Sequence, residues 1–227
     1  MLIVIPARGG SKRIPGKNIA PLRGKPLLVY TVEAAIDSDV TPHVVVSTES
    51  DRIAAIARSA GAQVVSRPDE LAGDTASTES VLLHALDALE ATGLRFTWVM
   101  TLPPTSPLRS AGTVRRFAES ARAEPEATDC LMSVTENRSD FWQRDTDGAL
   151  HRLFPEAPRR QQDRVPLYEE NSAIYVTRVR ALRETGRITG ARVRGVMMDR
   201  VEALDINEPI DLKLAEVFLE ERGAAGA

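Results

Sequence analysis

Short apolar runs alternate with longer amphipathic segments through the first half of the chain. The apolar runs are rich in β-branched residues and predict strands at residues 2–5, 44–47, 63–65 and 98–101. The segments between them have the spacing of amphipathic helices, at residues 27–36, 52–60 and 77–92. This alternation predicts an α/β fold, in which a mostly parallel sheet is covered by helices on both faces.

The ends of the predicted strands indicate where a ligand binds. Right-handed crossovers place the ligand site of such a sheet outside the carboxyl ends of its strands. Two segments leave strands at that edge, the loop after Ile5 and residues 101–108. We therefore expect these two segments to form the site.

The loop after Ile5 has the composition of a phosphate-binding loop. Residues 5–19 read Ile-Pro-Ala-Arg-Gly-Gly-Ser-Lys-Arg-Ile-Pro-Gly-Lys-Asn-Ile, with three glycines and four basic residues. Glycines let backbone N–H groups approach phosphate oxygens, and Lys or Arg supplies charge. The loop is not a P-loop, because five residues separate Gly10 from Gly16 and Asn18 follows Lys17 in place of Ser or Thr. A solvated basic turn is the alternative interpretation.

Lysine usage favours the phosphate-binding interpretation. The chain is rich in arginine and has only four lysines, Lys12, Lys17, Lys25 and Lys213. The first two lie in this loop. A compact, mobile ammonium group suits a polyphosphate whose charge shifts during a reaction.

Length and charge restrict the remaining possibilities. At 227 residues the chain is long enough for a single domain, residues 1–227, with a small insertion. The net charge of −3 gives no indication of a nucleic-acid or membrane partner, and no apolar stretch is long enough to span a bilayer. The N-terminus has no secretory pattern. We expect a soluble, cytoplasmic protein.

Residues 136–168 break the alternation and predict an inserted arm. The segment contains Phe141, Trp142 and Phe154, and Asp147-Gly148 is a hairpin turn signal. Exposed aromatic side chains need a partner surface, so the arm predicts a homodimer. A hairpin folded back onto its own core is the alternative.

Two oxygen-bearing side chains precede the last helical segment. Asp205 and Asn207 are two residues apart in an extended stretch, so both side chains point to the same side and can share one cation. The expected ion is Mg²⁺, with Mn²⁺ as the alternative. The competing interpretation makes Asn207 the N-cap of the helix that follows.

Several motifs together resemble those of the acylneuraminate cytidylyltransferases, also called CMP-sialic acid synthetases. The first motif is Pro-Ala-Arg-Gly-Gly-Ser-Lys-Arg-Ile-Pro-Gly-Lys-Asn. The others follow in family order, at residues 67–68, 74–77, 104–109, 160–161, 171–175 and 204–207. The resemblance runs from Leu2 to about Glu221. It implies a Rossmann-like nucleotidyltransferase that joins CTP to a nine-carbon 2-keto sugar acid, a nonulosonic acid, and releases pyrophosphate.

The resemblance also implies roles for individual residues. The implied catalytic residues are Arg8, Lys12 and Lys17, which neutralise the charge of the triphosphate. The nucleotide-binding set adds Ser11, Asn18, Arg67, Ala76 and Thr78, and includes the loop that starts at Asp74. The sugar-binding set is Pro103, Thr105, Ser106, Arg160, Gln161, Asn171 and Tyr175. The metal ligands are Asp205 and Asn207, and relatives use an insertion at the place of the arm for dimerisation. For residues 74–77, a plain helix N-terminus at Ser77 is the structural alternative.

The chain departs from the family pattern at several of these positions. Asn207 stands where relatives usually have Asp, Pro103 where many have Gln, and Ser172 where the family has Gly. Residues 169–170 are Glu-Glu where some relatives have Arg. The differences at Pro103, Ser172 and residues 169–170 leave nucleotide handling intact and leave the acceptor open, with an eight-carbon keto sugar acid or a phosphonate as alternatives. The change at Asn207 also leaves open a CTP-binding regulator without catalysis.

Overall fold

A computed structural model describes residues 1–73 and 76–225 of the chain. The strands are β1 Leu2–Pro6, β2 Pro21–Leu22, β3 Lys25–Pro26, β4 Val44–Thr48, β5 Gln63–Ser66, β6 Trp98–Thr101, β7 Cys130–Asn137, β8 Trp142–Arg144, β9 Leu150–Arg152, β10 Leu167–Arg178 and β11 Val193–Met197. The α-helices are α1 Leu27–Asp37, α2 Asp51–Ser59, α3 Thr78–Glu90, α4 Ala111–Ala123, α5 Val179–Thr185 and α6 Pro209–Ala225.

Seven strands form one mixed sheet in the order β11-β7-β10-β6-β1-β4-β5. The pairs β1–β4, β1–β6, β4–β5 and β7–β11 are parallel. Strand β10 is antiparallel to both of its neighbours, β6 and β7. The prediction of a mostly parallel sheet is therefore confirmed, with one reversed strand beside β6.

Helices cover both faces of this sheet, as the sequence predicts. On β1, Ile3 and Ile5 pack in the apolar cluster that contains residues of α1, α2 and α4. Leu2 and Val4 point the other way, into the cluster with α3 and α5. Successive side chains of a strand point to opposite faces of the sheet, so a strand buried on both faces has a continuous apolar sequence.

A third apolar cluster joins the loop after β1 to the C-terminal helix. Ile14 of the loop packs with Ile206, which is fully buried, and with Ala215 of α6. Leu22, Leu27 and Leu108 complete the cluster. Burial of these side chains holds the loop after β1, the segment after β6 and the segment before α6 together at one edge of the sheet.

The segment between β7 and β10 contains the small hairpin β8–β9. Gly148 has a φ of 95° at the hairpin turn, and its N–H donates to the carbonyl of Asp145. Asp140 accepts from both Arg152 and Arg164, which fastens the hairpin to the return of the chain. The aromatic side chains of this segment are exposed, Trp142 by 49% and Phe154 by 44% of their surface.

Across residues 1–73 and 76–225, no helix combines the length and the apolar character needed to cross a bilayer.

Candidate active site

A cavity of about 520 Å³ opens at the carboxyl ends of β1, β5 and β6. Loops from both halves of the sheet line it, as the topology predicts. Of the residues that the sequence singles out, the cavity wall contains Arg8, Ser11, Lys17, Asn18, Arg67, Ala76, Thr78, Pro103, Thr105 and Tyr175. One cavity therefore brings together residues expected to bind the nucleotide and residues expected to bind the sugar.

Hydrogen bonds fix the path of the predicted phosphate-binding loop at residues 5–19, called the phosphate loop below. The N–H of Ala7 donates to the Ser47 carbonyl of β4 (3.0 Å), which extends the β1–β4 pairing by one residue. The side-chain amide of Asn18 donates to the Arg8 carbonyl (2.8 Å) and closes the loop on itself. Gly16 has a φ of 62°, a left-handed conformation that glycine adopts without strain.

Glu49, directly after β4, holds the loop from the side. Its Oε1 accepts a hydrogen bond from the Gly9 N–H at 2.5 Å, and its Oε2 is buried without a described partner. A Cβ on Gly9 would lie only 3.2 Å from this carboxylate and from Ser50, so the close approach favours glycine.

Four cations surround a second cavity of about 350 Å³ that continues from the phosphate loop. Arg8, Lys12, Arg13 and Lys17 line it together with Ser11 and Asn207. Arg13 lies 3.8 Å from Glu208 and is largely exposed. Such a concentration of positive charge beside glycine N–H groups suits a polyphosphate.

Lys17 connects the phosphate loop to the segment before α6. Its Nζ donates to the carbonyl of Ile206 at 2.7 Å. Burial lowers the pKa of Lys17, and the nearby Asp205 carboxylate opposes that shift. The ammonium group therefore lies between the loop and the predicted metal ligands.

Asp205 and Asn207 point to the same side of the chain because Ile206 between them is buried in the third apolar cluster. The amide of Asn207 donates to Asp205 Oδ2 at 2.5 Å. The backbone N–H groups of Asn207 and Glu208, just before α6, both donate to Asp211 Oδ2, at 2.8 and 2.7 Å. Asp211 thus satisfies the start of the helix from its first turn, and the Asn207 side chain engages Asp205.

A carboxylate and an amide oxygen fit a hard dication such as Mg²⁺. Mg²⁺ commonly takes one or two protein oxygens and completes its shell with water and phosphate oxygens. The described residues contain no group of three or more His, Cys, Asp or Glu side chains that could hold an ion by themselves. A site at Asp205 and Asn207 therefore needs ligands from a bound polyphosphate.

Hydrogen bonds hold the wall of the cavity that contains Arg67 and the start of α3. Arg67 is buried, and its guanidinium donates to the carbonyl of Ser47 at 2.6 Å and to that of Leu71 at 3.4 Å. Burial lowers the pKa of Arg67, and the Glu49 carboxylate opposes that shift. Ser77 caps α3 by accepting from the Ser80 N–H (3.1 Å), so the helix N-terminus forms part of the wall. Asp74 and Thr75 of this loop lie outside the described residues.

The other end of the cavity is built on β6 and β10. Ser172 has a φ of 60°, next to an irregularity in the β10–β7 pairing between Glu170 and Tyr175. The hydroxyl of Tyr175 donates to the Glu170 carboxylate and also contacts Ser172 Oγ at 3.2 Å. Burial, followed by the bond to Glu170, raises the pKa of Tyr175 well above its usual range.

Four of the predicted sugar-binding residues lie outside this cavity. Gln161 and Asn171 line a separate polar cavity of about 270 Å³ beneath the arm, with Arg200 and Glu169. Arg160 is exposed on the arm, 3.9 Å from Asp163. Ser106 is 1% exposed within the turn after β6, outside the cavity wall.

Comparison with known proteins identifies the family. The family model described as cytidylyltransferase matches residues 2–183. The chain belongs to the cytidylyltransferase family. This cytidylyltransferase is 32% identical to the CMP-N,N'-diacetyllegionaminic acid synthase of Legionella pneumophila, over 97% of this chain and 96% of the relative. It is 33% identical to the N-acylneuraminate cytidylyltransferase of Escherichia coli, over 98% of this chain and 52% of the relative.

The fold agrees with that of a solved structure. The structure of CMP:2-keto-3-deoxy-manno-octonic acid synthetase complexed with CTP superposes with a TM-score of 0.68, at 17% identity, over 97% of this chain and 98% of that one. The predicted α/β fold is therefore confirmed, and the family match with the two relatives identifies the protein as a nucleotidyltransferase.

Two residues that support the walls of the cavity in this cytidylyltransferase are not apparent from local sequence. Glu49 reaches the phosphate loop from a strand end forty residues away. Arg109, 3% exposed, donates to the carbonyls of Ala173 (2.6 Å) and Pro103 (3.1 Å) and to Thr31 Oγ1 (3.1 Å). Burial lowers the pKa of Arg109 to about 9. The only sequence signal for Arg109 is its place at the end of the motif at residues 104–109.

Proposed function

We propose that this cytidylyltransferase joins CTP to a nonulosonic 2-keto sugar acid, giving a CMP-sugar and pyrophosphate. One observation supports this most strongly: the cationic phosphate loop and the β6–β10 end lie in one continuous cavity. A nucleotide and a sugar can therefore be bound side by side. The names of the two relatives supply the acceptor class.

The chemistry is an attack of an acceptor hydroxyl oxygen on the α-phosphorus of CTP. The new oxygen–phosphorus bond forms while the bond to the oxygen that bridges the α- and β-phosphates breaks. Pyrophosphate leaves with that electron pair, and the hydroxyl proton is released. Because such a transfer needs alignment and charge neutralisation more than covalent help from the protein, fixed cations supply most of the catalysis.

The cations proposed to neutralise the triphosphate are Arg8, Lys12 and Lys17. The groups proposed to bind phosphate or ribose oxygens are Ser11 and Asn18. Arg8, Ser11 and Lys17 line both the nucleotide cavity and its cationic extension, so they can follow the charge from the α-phosphate to the leaving group. Asp205 and Asn207 would hold Mg²⁺, with Mn²⁺ as a substitute. When bound, the ion would neutralise charge on the phosphate oxygens.

The exposed arm supports a homodimer as part of this proposal. Phe141, Trp142 and Phe154 are 38–49% exposed on one small hairpin and its return. Aromatic side chains that are exposed in a cluster are typical of protein interfaces. A second copy of the chain is the proposed partner, and Arg160 and Gln161 on the same arm are then available to the neighbouring site.

The test is pyrophosphate release from CTP with nine-carbon and eight-carbon 2-keto sugar acids and a phosphonate. We expect turnover with a nine-carbon acid. Lys12→Ala should lower kcat at least about a hundredfold, the scale of a lost preorganised donor. The control is Lys213→Ala, an exposed lysine on α6, which should leave kcat unchanged. CTP binding without turnover for any acceptor would instead identify a regulator.

A further inference from the structure

Thr101, the last residue of β6, has a hydroxyl that the fold does not use. The residue is 1% exposed and lines the main cavity. Its Oγ1 is buried and has no hydrogen-bond partner among the described residues. Buried side-chain hydroxyls almost always have a partner, so a hydroxyl kept at the wall of a binding cavity is typical of one that meets a ligand.

The position of Thr101 places this hydroxyl at the acceptor end of the cavity. Thr101 is directly opposite Tyr175 in the antiparallel β6–β10 pairing. On its other side Thr101 is opposite Val4 of β1, and the nucleotide end lies beyond it, where Arg8 follows β1, Glu49 follows β4 and Arg67 follows β5. A ligand group that meets Thr101 therefore belongs to the acceptor.

The surroundings of Thr101 specify the chemistry of that group. Pro103 and Pro104, which follow on the same wall, have no N–H and no polar side chain. Ile188 adds apolar surface, and the Tyr175 hydroxyl is already engaged with Glu170 and Ser172. Since the described wall offers no cation here, a neutral polar substituent fits better than the carboxylate of the sugar acid.

We propose that Thr101 is a specificity-determining residue whose hydroxyl hydrogen-bonds a neutral polar substituent, a hydroxyl or an amide, of the acceptor sugar acid. This inference rests on the proposed function. It assigns to Thr101 a part of the acceptor recognition that Pro103 cannot supply, because proline has no side-chain donor or acceptor.

The test compares Thr101→Val, which keeps the shape and removes the hydroxyl, with Thr101→Ser, which keeps the hydroxyl. Valine should lower kcat/KM for the acceptor by roughly tenfold to a hundredfold, because the substituent loses its partner. The KM for CTP should change less than about twofold, and serine should restore most of the acceptor kcat/KM.

Stability separates a ligand contact from a structural one. Thr101→Val should not lower the Tm, since the hydroxyl has no protein partner to lose. Thr177→Val is the matched comparison, because Thr177 on β10 donates to the Ile188 carbonyl at 2.5 Å. That variant should lower the Tm.

Acceptor analogues complete the test. Wild type should lose a similar factor with the one analogue, deoxy or de-N-acylated, that lacks the bound substituent, and Thr101→Val should lose nothing further with it. Unchanged acceptor kinetics in Thr101→Val, or an effect on CTP alone, would overturn the assignment. Absence of turnover by wild type with every acid would overturn both the assignment and the proposed function.

Discussion

Replacement of Asn207 by Asp tests the predicted metal site through stability as well as activity. In the structure the Asn207 amide donates to Asp205 Oδ2 at 2.5 Å. Asn207→Asp removes this donor and places a second carboxylate beside the first. The metal-free protein should lose stability, and a dication bound between the two carboxylates should restore it.

The size of the loss follows from two contributions. A hydrogen bond to a charged group contributes about 1.5–3 kcal/mol. Two unit charges about 4 Å apart repel by roughly 4 kcal/mol at an effective dielectric constant of 20, and by about 1 kcal/mol in water. Both residues are only half-buried and the cationic Lys17 is near, so screening reduces the repulsion. We expect a net loss of about 2–4 kcal/mol in the free energy of unfolding.

Thermal unfolding in EDTA measures this loss directly. For a domain of this size, about 1 kcal/mol shifts the Tm by roughly 2–4 °C, so the variant should unfold about 4–16 °C below wild type. Titration with Mg²⁺ should raise the Tm of the variant more than that of wild type, because tighter binding to the folded state stabilises it more. The Mg²⁺ concentration for half-maximal pyrophosphate release should fall as well.

A matched control separates metal binding from the general effect of an added charge. The side-chain amide of Asn137 on β7 also donates to a carboxylate, Glu169 Oε2, at 3.5 Å. This pair lies on an exposed surface and is distant from the phosphate loop in the sequence. Asn137→Asp should lose little stability and should leave the Mg²⁺ dependence of activity unchanged. If Asn207→Asp behaves in the same way, Asn207 is no ligand, and Asp205 holds the ion with water and phosphate oxygens.

Three further predictions test the supports of the site. Glu49→Ala should lower kcat/KM for CTP at least about tenfold, because the Gly9 N–H loses its acceptor. Glu49→Gln, which keeps an oxygen acceptor, should recover most of that loss. Equal steady-state kinetics of Glu49→Ala and wild type would show that the contact does not support CTP binding. Arg109→Met leaves the Ala173 and Pro103 carbonyls and the Thr31 hydroxyl without this donor, at about 1–3 kcal/mol for each group that stays buried. The free energy of unfolding in urea should therefore fall by about 3–5 kcal/mol, and a change below about 1 kcal/mol would contradict a structural role. Wild type should sediment as a dimer and Trp142→Asp as a monomer, so a monomeric wild type at micromolar concentration would remove the proposed interface.

Local sequence pattern predicts four of the seven strands of the main sheet and misses β7, β10 and β11. Strands β1, β4 and β6 are buried and begin where their apolar runs begin, because burial on both faces requires continuous apolar residues. Strand β5, at the edge of the sheet, also begins with its apolar run although it is partly exposed. Strand β10 starts with four exposed residues, Leu167 to Glu170, and its buried stretch begins only at Ala173. Its reversal depends on how the arm returns the chain to β7, which a window of neighbouring residues does not contain.

The phosphate-binding interpretation of residues 5–19 can be drawn from the sequence for a physical reason that does not extend to the supports of the loop. Its glycines and cations belong to one contiguous segment, so the pattern is present in the local sequence. Glu49 follows a strand and has no local signal, because its contact with Gly9 exists only once β4 pairs beside β1. The sequence leaves Asn207 open between a metal ligand and an N-cap. In the structure Asp211, four residues on, accepts from the N–H groups before α6, and the Asn207 amide donates to Asp205, so its role as a ligand stays a prediction.

The two halves of the cavity therefore differ in how freely they can change. On the nucleotide side, the loop, Glu49, Arg67 and the third apolar cluster constrain one another, so a substitution there disturbs several contacts. On the acceptor side, Ser172 occupies a left-handed conformation that favours glycine, and its hydroxyl meets Tyr175. Thr101 and Pro103 line the wall without supporting the fold through their side-chain polar groups. The departures from the family pattern at Pro103, Ser172 and Glu170 lie at this end, whereas the departure at Asn207 lies beside the cationic cavity. We therefore expect the first group to change which acceptor the cavity binds, and Asn207 to change the metal requirement.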